Sequence, residues 1–145
     1  MKLFYSLTIL LFVATGFSQN SLSQDLPKIR KIGDNELIQN VDDYKLISTI
    51  RTSVLRIILF EKQNTTGDSL PDTVGTASIY LIMVSRFDNS FKDTLFELGP
   101  LTSPKFVNWS GESEQKRELT IRYGPVNKQK YITFLVSPDE LKMVE

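Results

Sequence analysis

From Lys45 to Val136 the chain keeps returning to one pattern: short apolar or alternating runs cut by clusters of Gly, Pro, Asn, Asp and Ser. Leu119, Ile121 and Tyr123 alternate with Glu118, Thr120 and Arg122, which is the two-residue period of a half-buried strand. Residues 79–84 are apolar without interruption, which predicts a central strand over 77–86 covered on both faces. Further strands are predicted over 54–61, 94–98, 105–109 and 131–136. Between residues 54 and 136 every Gly and Pro falls between these runs, as suits residues that weaken strand interiors.

The stretch 46–60 is rich in β-branched residues but too long for one strand, so a break is expected near Arg51-Thr52-Ser53. A helix over 43–51 is the rival, because Tyr44, Ile47 and Ile50 also fit helical spacing. Two short helices are predicted at the ends of the domain. Asp34 can cap a helix over 35–41, with Leu37, Val41 and Tyr44 at spacings of four and three. Ser137 can cap a short C-terminal helix of one or two turns, with Pro138 at its first helical position, Glu140 completing a capping box and Leu141 to Glu145 following. The predicted fold is mainly β: an antiparallel β-sandwich or small β-barrel of about six to seven strands.

The N-terminus has a different grammar. Lys2 is followed by an apolar run over 7–14 and then by Thr15-Gly16-Phe17-Ser18-Gln19. A charged start, a short apolar centre and a small-residue exit are the parts of a secretory signal peptide. The run is about half the roughly 20 residues a spanning helix needs, so no stable membrane anchor is expected after cleavage. Cutting after Ser18 leaves Gln19 at the new N-terminus, and cutting after Gly16 leaves Phe17. Residues 1–18 are therefore read as a signal peptide, 19–34 as a flexible leader without strand or helix period, and 35–145 as a single β-rich domain. The destination is the periplasm or the exterior.

Composition narrows the chemistry. The chain of 145 residues has no cysteine and no histidine. That removes the Ser-His-Asp triad, Cys-His pairs, disulfides and Cys- or His-based zinc sites. Lys plus Arg and Asp plus Glu balance at 17 each, which argues against nucleic acid as a partner. No cofactor or metal is expected. Asp68 and Asp72 share a polar loop but lack the carboxylate density of a calcium loop. The doublet Asp42-Asp43 would point to opposite faces of a strand, a poor geometry for paired catalysis. Lys116, Arg117, Arg122, Lys128 and Lys130 mix with Glu112, Glu114 and Glu118, the pattern of a solvated face.

Three aromatics stand at strand ends. Phe87 and Phe91 flank Asp88-Asn89-Ser90, and Trp109 precedes Ser110-Gly111. Exposed together, large aromatics mark recognition surfaces, so Phe87, Phe91 and Trp109 form the candidate interaction surface. The alternative is that the rings fold inward and close the core. The leading functional expectation is a soluble, non-enzymatic binding module of the bacterial envelope or exterior, with another envelope or extracellular protein as partner. A β-barrel carrier of a small apolar ligand or lipid is the second expectation. A carboxylate-based hydrolase is the third.

Overall fold

The computed structural model describes residues 26–33, 43–63, 77–87 and 93–144. The signal peptide at 1–18, the predicted helix over 35–41, the Asp68/Asp72 loop and Phe91 lie outside the described residues. Among the described residues the chain forms nine strands: β1 (Lys28–Ile32), β2 (Tyr44–Arg51), β3 (Leu55–Gln63), β4 (Ala77–Arg86), β5 (Asp93–Thr102), β6 (Lys105–Ser110), β7 (Arg117–Tyr123), β8 (Lys130–Val136) and β9 (Leu141–Val144). They make two sheets, one ordered β1-β5-β4-β3-β2 and the other β6-β7-β8-β9. Every neighbouring pair is antiparallel. Both sheets are open, with edges at β1 and β2 and at β6 and β9, so neither closes into a barrel among the described residues.

Strand alternation builds one core between the two sheets. Ile57 and Leu59 of β3, Tyr80, Ile82 and Val84 of β4, and Phe96 and Leu98 of β5 face one way. They meet Leu119 and Ile121 of β7 and Phe134 and Val136 of β8 in a single cluster. Fully burying each aliphatic or aromatic side chain stabilises the fold by about 1.5–3 kcal/mol. Tyr80, fully buried at the centre of the five-stranded sheet, has its hydroxyl near the Phe106 backbone of β6. Burial, reinforced by the charge of Glu61, pushes its phenol far above the ordinary tyrosine range.

Two β-bulges explain positions that alternation alone does not. Leu46 pairs with Phe60 and Ser48 with Leu59, so Ile47 is an extra residue in β2. Phe106 pairs with Ile121 and Asn108 with Thr120, so Val107 is an extra residue in β6. Residues three apart on a regular strand face opposite ways. The extra residue lets Ile47 and Ile50, and likewise Phe106 and Trp109, all pack against the core.

The structure corrects several expectations. The described residues alone form nine strands rather than six or seven. Residues 28–32, read as part of a leader without strand character, form β1 and pair with β5. Lys28 and Arg30 keep that edge charged, a common protection of a sheet edge. Residues 44–51 are strand, not helix, and the break at Thr52–Val54 stands where the sequence places it. β5 runs through Gly99-Pro100 instead of stopping before it. The register there is irregular, Pro100 follows a cis peptide bond, and Gly99 has φ +143° with the Ser78 carbonyl 3.1 Å from where a Cβ would sit. A bulge is a place in a sheet where such residues fit.

The C-terminal helix is also overturned. The Ser137 hydroxyl does accept the Glu140 N–H at 3.1 Å, as a capping serine would, and the Ser137 N–H donates to the Glu140 carbonyl at 3.0 Å. This closes a turn, after which Leu141–Val144 pairs with β8. Leu141 enters the core and Met143 packs against it, and their two-residue spacing suits a strand. Pairing with β8 and burial of Leu141 outweigh the helical start that the capping residues offer.

Buried and exposed aromatics give a direct test. Phe134 is fully buried, so Phe134→Ala should lower unfolding stability by about 3–5 kcal/mol in urea titrations. Tyr131, three positions earlier in β8, is 66% exposed, and Tyr131→Ala should change stability by no more than about 0.5 kcal/mol. Equal losses at the two positions would contradict the assignment of faces.

Candidate functional site

Four connections meet at one end of the stacked sheets. They are the β2–β3 turn at Thr52–Val54, the end of β4 at Arg86 and Phe87, the β6–β7 connection at 111–116, and the β8–β9 turn at 137–140. Together they line an open groove of about 540 Å³. The apolar contribution comes from Val54, 41% exposed, and Phe87, 43% exposed, with Pro138. The polar contribution includes Ser53, Arg86, Lys116 and Asp139.

The rim is tied by hydrogen bonds rather than left as loose ends. Within the β2–β3 turn the Thr52 hydroxyl oxygen accepts the N–H groups of Val54 and Leu55, at 3.2 and 3.0 Å. The same hydroxyl donates to the Glu114 carbonyl at 2.8 Å. The Ser53 N–H and hydroxyl both donate to one Glu114 carboxylate oxygen at 2.8 Å. This clasp fastens the turn of the first sheet to a connection of the second. Arg117 holds that connection from behind, donating to the carbonyls of Gly111 and Ser113. Gly111, at φ +84°, supplies the left-handed turn that starts it. Across the groove Arg86 pairs with Asp139 at 2.7 Å. The Phe87 N–H donates to the Val54 carbonyl at 2.9 Å, and the Arg51 guanidinium lies 4.6 Å from the Phe87 ring centroid. That stacking holds a ring which remains 43% exposed.

The three aromatics of the sequence-based surface separate. Phe87 lines the groove. Trp109 is half-buried between the sheets, where its indole N–H donates to the Ser48 hydroxyl at 3.0 Å and its ring lies 6.0 Å from that of Phe106. Trp109 thus closes the seam between β2 and β6. The structure does not bring it to Phe87, and Phe91 is outside the described residues. Sequence reasoning passes over Val54 and Arg86 as groove residues, reads Ser53 only as part of a strand break, and reads Lys116 and the neighbouring Glu114 only as a solvated face. They come from three connections far apart in the chain, and no spacing motif joins them. The visible signal is only the break at Arg51-Thr52-Ser53.

The groove offers apolar contact and charge, without a cluster of metal-ligating side chains among the described residues. Family models, curated proteins and solved structures give no match to this chain. The site therefore stands on its own geometry.

The clasp has a pH signature. The Ser53 backbone donor, then the Ser53 hydroxyl, and also the charge of Arg117 hold the Glu114 carboxyl below the usual carboxylate range. A carboxyl whose folded pKa is depressed contributes stability above its unfolded pKa, about 4.3, and loses it as pH falls through the lower folded value. The Ser53 amide resonance should therefore titrate with a midpoint below that of an ordinary glutamate, and Glu114→Gln should abolish the transition. A midpoint at or above the ordinary value would contradict the clasp.

Proposed function

We propose that the protein is an exported, non-enzymatic binding module of the bacterial envelope or exterior, and that the groove beside Phe87 is its contact surface. The observation that carries this reading is Phe87 itself. It is a large aromatic left open to solvent, held by Arg51 and framed by turns that are already hydrogen-bonded in place. An ordered aromatic anchor beside charged groups is the make-up of a protein contact site, because little conformational freedom is lost on binding. Export rests on the charge and apolar pattern of residues 1–18.

The rival readings draw less support. A carrier of apolar ligands needs a chamber, and the layer between the sheets is packed with Tyr80, Phe134 and their neighbours. A carboxylate-based hydrolase needs a general acid with a raised pKa, whereas Glu114 is held ionised and Asp139 is engaged by Arg86.

Native mass spectrometry of the exported form, purified from the cells that make it, tests the proposal. The expected result is a new N-terminus at Phe17 or Gln19 and a co-purifying polypeptide. That polypeptide should be lost in Phe87→Asp, with the unfolding midpoint unchanged. A retained small lipid would favour the carrier, and a partner that still binds Phe87→Asp would remove the groove as the contact surface.

A further inference from the structure

The four-stranded sheet separates its charges along its length. Between Ser103 and Val144 the carboxylates are Glu112, Glu114, Glu118, Asp139 and Glu140. All five stand at the groove end, in the 111–116 connection, at the second residue of β7 or in the β8–β9 turn. Four of them are engaged there: Glu114 by Ser53, Glu118 by Ser110 at 3.1 Å, Asp139 by Arg86, and Glu140 by Lys142 at 3.5 Å. The opposite end, made by the start of β6 and the β7–β8 hairpin, holds Lys105, Arg122, Lys128 and Lys130. Among the described residues no ion pair engages any of these four cations.

The pairing register sets two of these cations face to face. Lys105 lies directly opposite Arg122, and Arg122 directly opposite Tyr131, in one row on the outer face of the sheet. Like charges opposed on neighbouring strands cost stability. The next row, Asn108, Thr120, Thr133 and Val144, supplies no counter-charge. The row beyond it holds Ser110, Glu118, Leu135 and Lys142, so its carboxylate is four residues along β7 from Arg122, or about 13 Å. Apolar side chains stand open beside the cations. Tyr131 and Val107 are exposed, and Val126 in the hairpin turn is 74% exposed. That turn is held in place. The Lys128 N–H donates to the Pro125 carbonyl at 2.8 Å, and the Gly124 N–H donates to the Thr102 carbonyl at the end of β5 at 2.7 Å.

We propose that the hairpin end of the four-stranded sheet rests on an anionic lipid surface, with Lys105, Arg122, Lys128 and Lys130 over the headgroups and Val126 and Tyr131 entering the interface. A soluble polyanion would reward the cations and leave Val126 in water. A lipid surface rewards both kinds of side chain: its negative potential draws in Lys and Arg, its headgroup layer suits the amphipathic ring of a tyrosine, and its hydrocarbon edge takes up a valine. The contact is peripheral and reversible, because it rests on a few cations and two apolar side chains. It is independent of the groove beside Phe87, which lies at the other ends of β7 and β8.

Vesicle co-sedimentation tests this with the protein as purified from the cells that make it. The vesicles are phosphatidylcholine alone, or phosphatidylcholine mixed equally with phosphatidylglycerol. The readout is the ratio of the two affinities, in which any contribution common to both vesicles cancels. The mixed vesicles should be preferred by about tenfold or more at low salt, and the preference should fall as salt rises. Lys105→Glu with Arg122→Glu keeps like charges opposed, so the unfolding midpoint should hold while most of the preference is lost. Should that variant fail to fold, Lys105→Gln with Arg122→Gln carries the same test. Arg56→Glu with Lys142→Glu makes the same change in net charge at the groove end and should keep most of the preference. Val126→Ser with Tyr131→Ala should weaken binding to mixed vesicles and leave any binding to soluble dextran sulfate unchanged. Equal affinity for the two vesicles overturns the proposal, as does an equal loss in the two charge-reversed variants. Unchanged vesicle binding by Val126→Ser with Tyr131→Ala, with dextran sulfate competing, would assign the cations to an acidic polymer instead and overturn the lipid contact.

Discussion

A strand that is apolar through its whole middle has to be covered twice, and β4 imposes that demand on the molecule. Tyr80, Ile82 and Val84 face the second sheet, while Leu81 and Met83 face the other way. An apolar run of this kind cannot sit at an edge or with one face in water without losing the burial that stabilises it. β4 accordingly occupies the middle of the five-stranded sheet. The four-stranded sheet turns a mixed face outward, where Asn108, Glu118 and Lys142 stand beside Leu135 and Val144 and where Thr120 and Thr133 meet at 3.2 Å.

The groove depends on that frame. Its apolar side begins where β4 leaves the core, so Phe87 is the first residue past Arg86 at the end of the most buried strand. Its polar side is built by turns from both sheets, fastened across by Ser53–Glu114 and Arg86–Asp139. The surface ion pair is solvated and contributes little stability. Its role is geometric: it fixes the β8–β9 turn beside β4. Binding surfaces placed on turns and held by a packed scaffold combine variety of side chains with little motion.

Alternation makes most strands legible in the sequence, and the unbroken apolar run 79–84 marks the central strand by itself. Where the sequence misleads, a specific physical cause can be named. The spacing of Ile47 and Ile50 mimics a helix because a bulge puts both on the core side. The capping residues at Ser137 and Glu140 are genuine, but they close a turn because Leu141 and Met143 gain more from the sheet. Gly99-Pro100 reads as a terminator, yet the bulge admits it within β5. β1 is illegible because its Lys28-Ile29-Arg30-Lys31 composition is that of a charged edge. Of the candidate site only Phe87 is legible. Its partners are separated by dozens of residues and are joined by turn contacts, which leave no periodic trace.

Amide hydrogen exchange in the full chain tests the double cover of β4 most directly. β4 and β7 are each hydrogen-bonded to strands on both sides, but β7 has one face toward water. The amides of residues 79–85 should be the slowest in the chain, exchanging only with global unfolding. Exchange of those amides ahead of the amides of β7, as in a strand with one face open to solvent, would contradict the account.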